Sequence, residues 1–114
     1  MQEATVLILT ALAARSQHGY GIMTDVGEIS GGRVRLRPGT LYSALDRLRE
    51  GELVVADRDE IIDGRLRRYY RLTPGGADVL AAEAARLQAN AGAALSRLRA
   101  GAAARRPGLA GGAA

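Results

Sequence analysis

Cysteine, tryptophan, phenylalanine and lysine are all missing from this chain of 114 residues. Without cysteine there is no disulfide, no thiolate metal site and no cysteine nucleophile. With four tyrosines as the only aromatic residues, the core has to come from Leu, Ile, Val and many Ala. Such side chains bury little area each, so a lone domain of this length is expected to be marginal, which favours a dimer. The one histidine, His18, has neither thiolate nor second imidazole to share a metal with. No apolar run is long enough to span a bilayer. The opening segment, with Glu3 and only the short run Val6 to Leu9, does not read as a signal peptide, so the expected location is the cytoplasm. No nucleophile–base pair, P-loop or metal cluster is present, so neither an enzyme nor a cofactor is expected.

What the chain has is arginine, unevenly placed. Residues 1–32 carry one arginine against three acids, whereas residues 33–50 carry five against two and residues 64–72 carry four against none. Two basic patches on one small domain are the footprint of a polyanion partner.

The apolar pattern predicts a first helix over 3–15 and a second over 20–30, with Ile22, Met23, Val26 and Ile29 inward. His18-Gly19-Tyr20-Gly21 is the break between them, and Gly31-Gly32 ends the second. Arg33-Val34-Arg35-Leu36-Arg37 alternates as a short extended segment does. A third helix runs from Pro38 to Glu50, with Leu41, Leu45 and Leu48 on its buried face and Gly51 as its stop. Leu53 to Ala56 starts a strand. The polar residues Asp57 to Glu60 lead to Asp63-Gly64, a tight-turn signal, and Leu66 to Leu72 returns, with Tyr69 and Tyr70 on opposite faces. Thr73 and Pro74 open a last helix that extends to about residue 100. Along it, Leu80, Ala84, Leu87, Ala91, Ala94 and Leu98 make a heptad seam suited to close approach of a second helix, although Gly92 weakens it. The Ala/Gly/Arg/Pro tail, 101–114, has no apolar period and is expected to be disordered. The expected domains are thus 1–72, 73–100 and the tail.

Helices followed by a basic hairpin describe a winged helix-turn-helix, α+β but mainly α. Its third helix enters the major groove and its wing reaches phosphates or the neighbouring minor groove. The face of the third helix left outside carries Thr40, Tyr42, Ser43, Asp46 and Arg47. Ser43 and Arg47 are the candidates for base edges, because arginine pairs bidentately with guanine. The plainer reading has Arg47 paired to Asp46 or Glu50. Thr40 either caps the helix or donates to a phosphate, and Tyr42 either contacts a phosphate or packs on the wing. Arg37 approaches from the N-terminal side, and Arg65, Arg67 and Arg68 approach from the wing. Arg33 and Arg35 either flank the DNA backbone or neutralise acids of the second helix. His18 reads as a turn residue bonded to backbone and Tyr20 as a packing residue. The acids from Asp57 to Asp63 do not form an EF-hand loop, because Ile61 and Ile62 break the ligand spacing.

At this point the sequence resembles the PadR family of transcriptional regulators. The resemblance is carried by five collinear elements: His18-Gly19-Tyr20-Gly21-Ile22, Pro38-Gly39-Thr40-Leu41-Tyr42, Leu45 with Leu48, Gly51-Glu52-Leu53, and Arg67-Arg68-Tyr69-Tyr70 through Leu72-Thr73 to Gly76. It covers roughly residues 5–80 and matches the short type, with a single C-terminal helix. It implies a ligand-responsive homodimeric repressor acting on double-stranded DNA at a pseudo-palindromic operator. It also implies a dimer made by the first and last helices, which assigns Val6 and Leu9 to the interface beside the heptad seam, and a DNA-facing position for Tyr42. Some short members stack flat drugs between interface tryptophans; this chain has no tryptophan to stack. The alternative function is a winged-helix interaction module that pairs with another protein through its last helix.

Overall fold

Local chemistry sets the element boundaries in the computed structural model, which describes residues 1–107. The order is α1 (Glu3–Ala14), β1 (Gln17–His18), α2 (Gly19–Ile29), α3 (Pro38–Glu50), β2 (Val54–Ile62), β3 (Arg65–Leu72) and α4 (Pro74–Ala100). This is a mainly helical winged helix with a hairpin wing and a long C-terminal helix. The chain divides into two compact units, Met1–Glu83 and Ala84–Ala114.

In the first unit α1, α2 and α3 each turn one apolar face inward. Ile8 and Leu9 of α1, Ile22 and Val26 of α2, and Leu41 and Leu45 of α3 are solvent-free, and Val54 and Tyr70 close the core from the sheet. Complete burial of such a side chain contributes about 1.5–3 kcal/mol. Val34 and Leu36 pack against this core while Arg33, Arg35 and Arg37 point outward. The alternation there is therefore real, although the segment pairs with no strand. Ile29 departs from expectation: it lies in the last turn of α2 and is exposed.

Both α2 and α3 end in the same hydrogen-bonded motif. Gly32 N–H donates to Gly27 O at 2.7 Å and Gly31 N–H to Glu28 O at 3.1 Å. At the end of α3, Leu53 N–H donates to Leu48 O at 2.9 Å and Glu52 N–H to Arg49 O at 3.0 Å. These are Schellman closures. In the second, the left-handed position is held by Glu52, with φ 59°, and not by Gly51.

The sheet has three antiparallel strands in the order β1-β3-β2. Sequence periodicity gave no sign of β1. It has two residues, and it exists because Gln17 and His18 pair with Tyr70 and Tyr69. Gln17 is buried and anchored, its Nε2 donating to Ala11 O at 2.9 Å and to Asp25 Oδ2 at 2.8 Å. β2 also runs further than expected, through the whole polar run to Ile62, with a bulge between Ala56 and Arg58. At the hairpin tip Asp63 and Gly64 both have positive φ, 51° and 76°, as a type I′ turn demands.

Helix α4 starts under two constraints. Thr73 Oγ1 accepts from Gly76 N–H at 2.9 Å and donates to Glu52 O at 2.7 Å. Gly76 then packs directly on the Leu53 carbonyl: a Cβ there would stand 3.0 Å from Leu53 C and 2.9 Å from Leu72 Cδ1. In the second unit the helix continues to Ala100, and turns follow over 101–105. The rest of the expected tail, from 108 onward, lies outside the described residues.

Candidate nucleic-acid interface

Helix α3 buries Leu41, Ala44, Leu45 and Leu48 and leaves Thr40, Tyr42, Ser43, Asp46 and Arg47 exposed along its other side. Its N-cap, Arg37, is extended and gives no side-chain cap. Pro38 has no N–H to orphan, so the first-turn amides of Gly39 and Thr40 are the ones left open. Thr40 makes no side-chain hydrogen bond among the described residues, so it does not serve as a cap. Arg47 forms no ion pair with Asp46 or Glu50, and Arg35, Arg37 and Arg49 are likewise unpaired among the described residues. Arg33 is different. Its guanidinium grips Glu3 of α1 with both nitrogens, Nη1 to Oε1 at 3.0 Å and Nη2 to Oε2. Its partner is thus an acid of the first helix, not of the second. That bond holds the Glu3 carboxyl below the usual carboxylate range.

Tyr42 lies across the start of α2. Its ring covers Gly19, where an added Cβ would fall 2.9 Å from Tyr42 Cζ and closer still to the hydroxyl. Tyr42 nevertheless stays 45% exposed, so it packs on one side and is open on the other. Tyr70 approaches the same helix from the sheet. Burial pushes its hydroxyl pKa up, with a further push from Tyr42 and a small one from Asp46.

The wing places acids opposite arginines. Asp59 faces Arg68 across the strands and accepts from its Nε at 3.1 Å. Glu60 faces Arg67 but bonds Arg58 Nε at 2.8 Å, and that bond keeps its carboxyl pKa low. Arg58 also covers the Tyr69 ring at 4.0 Å. Asp57, at the bulge, accepts from Ser16 Oγ at 2.8 Å and meets Arg58 and Arg71 at 3.1 Å and 3.4 Å. Arg67 leans toward Tyr20, 5.9 Å from the ring centre, and its buried Nε has no hydrogen-bond partner. Arg65, beside the turn, has no ion pair among the described residues. Of the three wing arginines singled out from sequence, Arg65 is free, Arg68 is held by an acid and Arg67 is tucked against Tyr20.

His18 is the N-cap of α2. Its Nδ1 accepts from Gly21 N–H at 3.1 Å, and its ring meets Tyr69 edge-on at 5.2 Å. This is the backbone-bonded turn residue expected from sequence. Burial and then the nearby Arg67 charge lower its pKa, against a smaller opposing pull from Glu60.

The residues assigned to an interface between chains are distributed as follows. In the first unit Val6 and Leu80 are half-buried, whereas Leu9 is fully covered by its own chain and offers no surface. In the second, Ala84, Leu87, Ala91, Ala94 and Leu98 are all exposed. Sequence reasoning missed the Gly19–Tyr42 contact and the acid partners of the wing. The first joins two motifs 23 positions apart, and the second depends on the bulge.

The profile of the transcriptional regulator PadR-like family matches residues 8–82. The chain is 41% identical over 61 residues to the transcriptional regulator Rv3488 of Mycobacterium tuberculosis, covering 54% of this chain and 43% of that protein. It spans less than two thirds of the length of the curated relatives it matches. Among solved structures, a PadR family transcription regulator from Clostridium difficile superposes with a TM-score of 0.71 at 26% identity, over 85% of this chain and 99% of that one. Bacillus subtilis PadR, solved in complex with operator DNA, superposes with a TM-score of 0.61 at 23% identity, over 70% of this chain and 45% of that one.

Proposed function

Because this chain belongs to the PadR-like family of DNA-binding transcriptional regulators, we propose that it acts as a homodimeric repressor on a pseudo-palindromic operator. Two copies of α3 enter successive major grooves about one helical turn apart, roughly 34 Å. Arg37, Thr40, Tyr42, Ser43 and Arg47 of α3 and its approach, with Arg65, Arg67 and Arg68 of the wing, form the DNA-facing set. Ser43 and Arg47 read base edges and the others position the backbone. The observation that carries this reading is the unpaired state of Arg35, Arg37, Arg47 and Arg49 around one groove-sized helix. Four uncompensated guanidinium groups on and just before one helix call for an anionic partner.

The exposed seam from Ala84 to Leu98 supports self-pairing, with Val6 and Leu80 as further members and Leu9 bracing α1 from inside. Ligand response enters through the family resemblance alone. The same seam would serve the alternative, pairing with a different protein. Fluorescence anisotropy on the gene's own upstream DNA against a scrambled duplex, across salt, tests the proposal, together with sedimentation velocity of the purified chain. Selective binding with a steep salt slope by a stable homodimer supports it. A monomer without selectivity sinks it in favour of the interaction module.

A further inference from the structure

The wing carries little net charge and has an apolar end. Between 57 and 68, four acids (Asp57, Asp59, Glu60 and Asp63) offset four arginines (Arg58, Arg65, Arg67 and Arg68). Most of these charges meet inside the hairpin: Asp59 on Arg68, and Asp57 and Glu60 on Arg58. A wing so compensated has a weak grip on phosphates, and Asp63 at the turn opposes one. Next to the Asp59–Arg68 pair, two residues on and therefore on the same sheet face, Ile61 stands directly opposite Leu66. They are 76% and 67% exposed. Neither covers the core, and as a directly opposed pair they form a patch, unlike singly scattered apolar residues.

The orientation of that face is set by Tyr70, which belongs to it by the same alternation and is buried in one core with Leu41, Leu45 and Leu48 of α3, and by Arg49 of α3, which borders the same surface hollow as Asp59 and Arg68. The apolar pair is therefore on the α3 side of the wing, continuous with the surface proposed to meet DNA. On that side a duplex offers two kinds of surface next to the major groove: phosphates, which suit cations, and the deoxyribose walls of the minor groove, which suit aliphatic side chains. Resting on the DNA-binding reading above, we propose that Ile61 and Leu66 are specificity-determining residues that pack on the deoxyribose walls of the flanking minor groove, with Arg65, which no acid holds among the described residues, adding a phosphate contact at the tip. Contact with the walls senses groove width, which varies with sequence, so the wing selects operator positions that α3 does not touch.

The test is the double variant Ile61→Thr/Leu66→Thr. Both replacements are β-branched and hold the hairpin. Affinity is measured by anisotropy across salt, on an upstream duplex that the unmodified chain binds selectively. The expected result is a loss of roughly tenfold, the scale of partial burial of two aliphatic groups. The salt slope and the thermal midpoint stay unchanged, and Ile61→Val/Leu66→Val restores most of the affinity. Unchanged affinity in the Thr variant, or a loss accompanied by a flatter slope, overturns the inference while leaving the regulator reading intact. Failure of the unmodified chain on every duplex takes down both.

Discussion

Gly19 and Tyr42 are in contact across the helix-turn-helix, the bare backbone of one forming the seat for the ring of the other. A side chain at position 19 would displace Tyr42 and leave the core untouched, since Tyr42 is half open to solvent. Gly19→Ala should therefore keep stability within about 1 kcal/mol and weaken DNA binding. In a double-mutant cycle with Tyr42→Ala, the Gly19 effect should vanish. Additive losses would show that the two residues act separately.

Gly76 meets something that cannot swing away. The obstacle to a Cβ there is the Leu53 backbone, with Leu72 Cδ1 at 2.9 Å. Gly76→Ala should cost about 1–3 kcal/mol by overpacking, read from the denaturant midpoint. Gly75→Ala is the control, with its nearest neighbour, Thr73 Oγ1, at 3.8 Å, and should be close to neutral.

The His18 cap predicts acid sensitivity. Its Nδ1 must be unprotonated to accept from Gly21 N–H, and its pKa in the fold lies below the ordinary 6.5. The unfolded chain binds the proton more readily. Stability is therefore fully present above about pH 6.5 and falls as pH drops through the folded pKa. His18→Asn retains a capping acceptor without an imidazole. Thermal midpoints between pH 8 and 5, on the order of the histidine range, should drop less in the variant than in the parent. Equal drops would assign the acid sensitivity to the carboxylates.

Asp59 should restrain the wing's affinity for DNA. Its carboxylate occupies Arg68 at 3.1 Å. Asp59→Asn should release that guanidinium, tighten binding to all sequences and steepen the log–log salt slope by up to about 0.9. Arg68→Ala should change the slope less than Arg65→Ala does. A larger effect from Arg68 would mean that DNA displaces Asp59.

Much of this fold was legible in the sequence because its signals are local. Pro38, Thr73-Pro74 and Asp63-Gly64 each fix one boundary by backbone chemistry alone, and the leucines of α3 fall at one helical spacing. The elements that escaped are those made by partners distant in the chain. Two residues at Gln17 and His18 carry no strand period; they become β1 because β3 offers them a free edge. The acids after Ala56 read as a polar run leading to the turn, and the bulge at Asp57 shifts the alternation so that Asp59, not Arg58, comes to face Arg68. The arginine count of β3 was visible, but its compensation by β2 needs the register. Glu52 in a left-handed turn gave no signal either, since its neighbour Gly51 was the expected occupant.

The two-residue strand β1 has a mechanical consequence for the hairpin. At Tyr69 and Tyr70, β3 is hydrogen-bonded on both sides, and Gln17 is tied to α1 and α2 beneath it. From Arg68 outward only β2 remains beside it. The wing is thus a cantilever, clamped at its root and free over its outer half. Bending should be confined to the length beyond the clamp, which would let the tip follow the local contour of a duplex without disturbing α3.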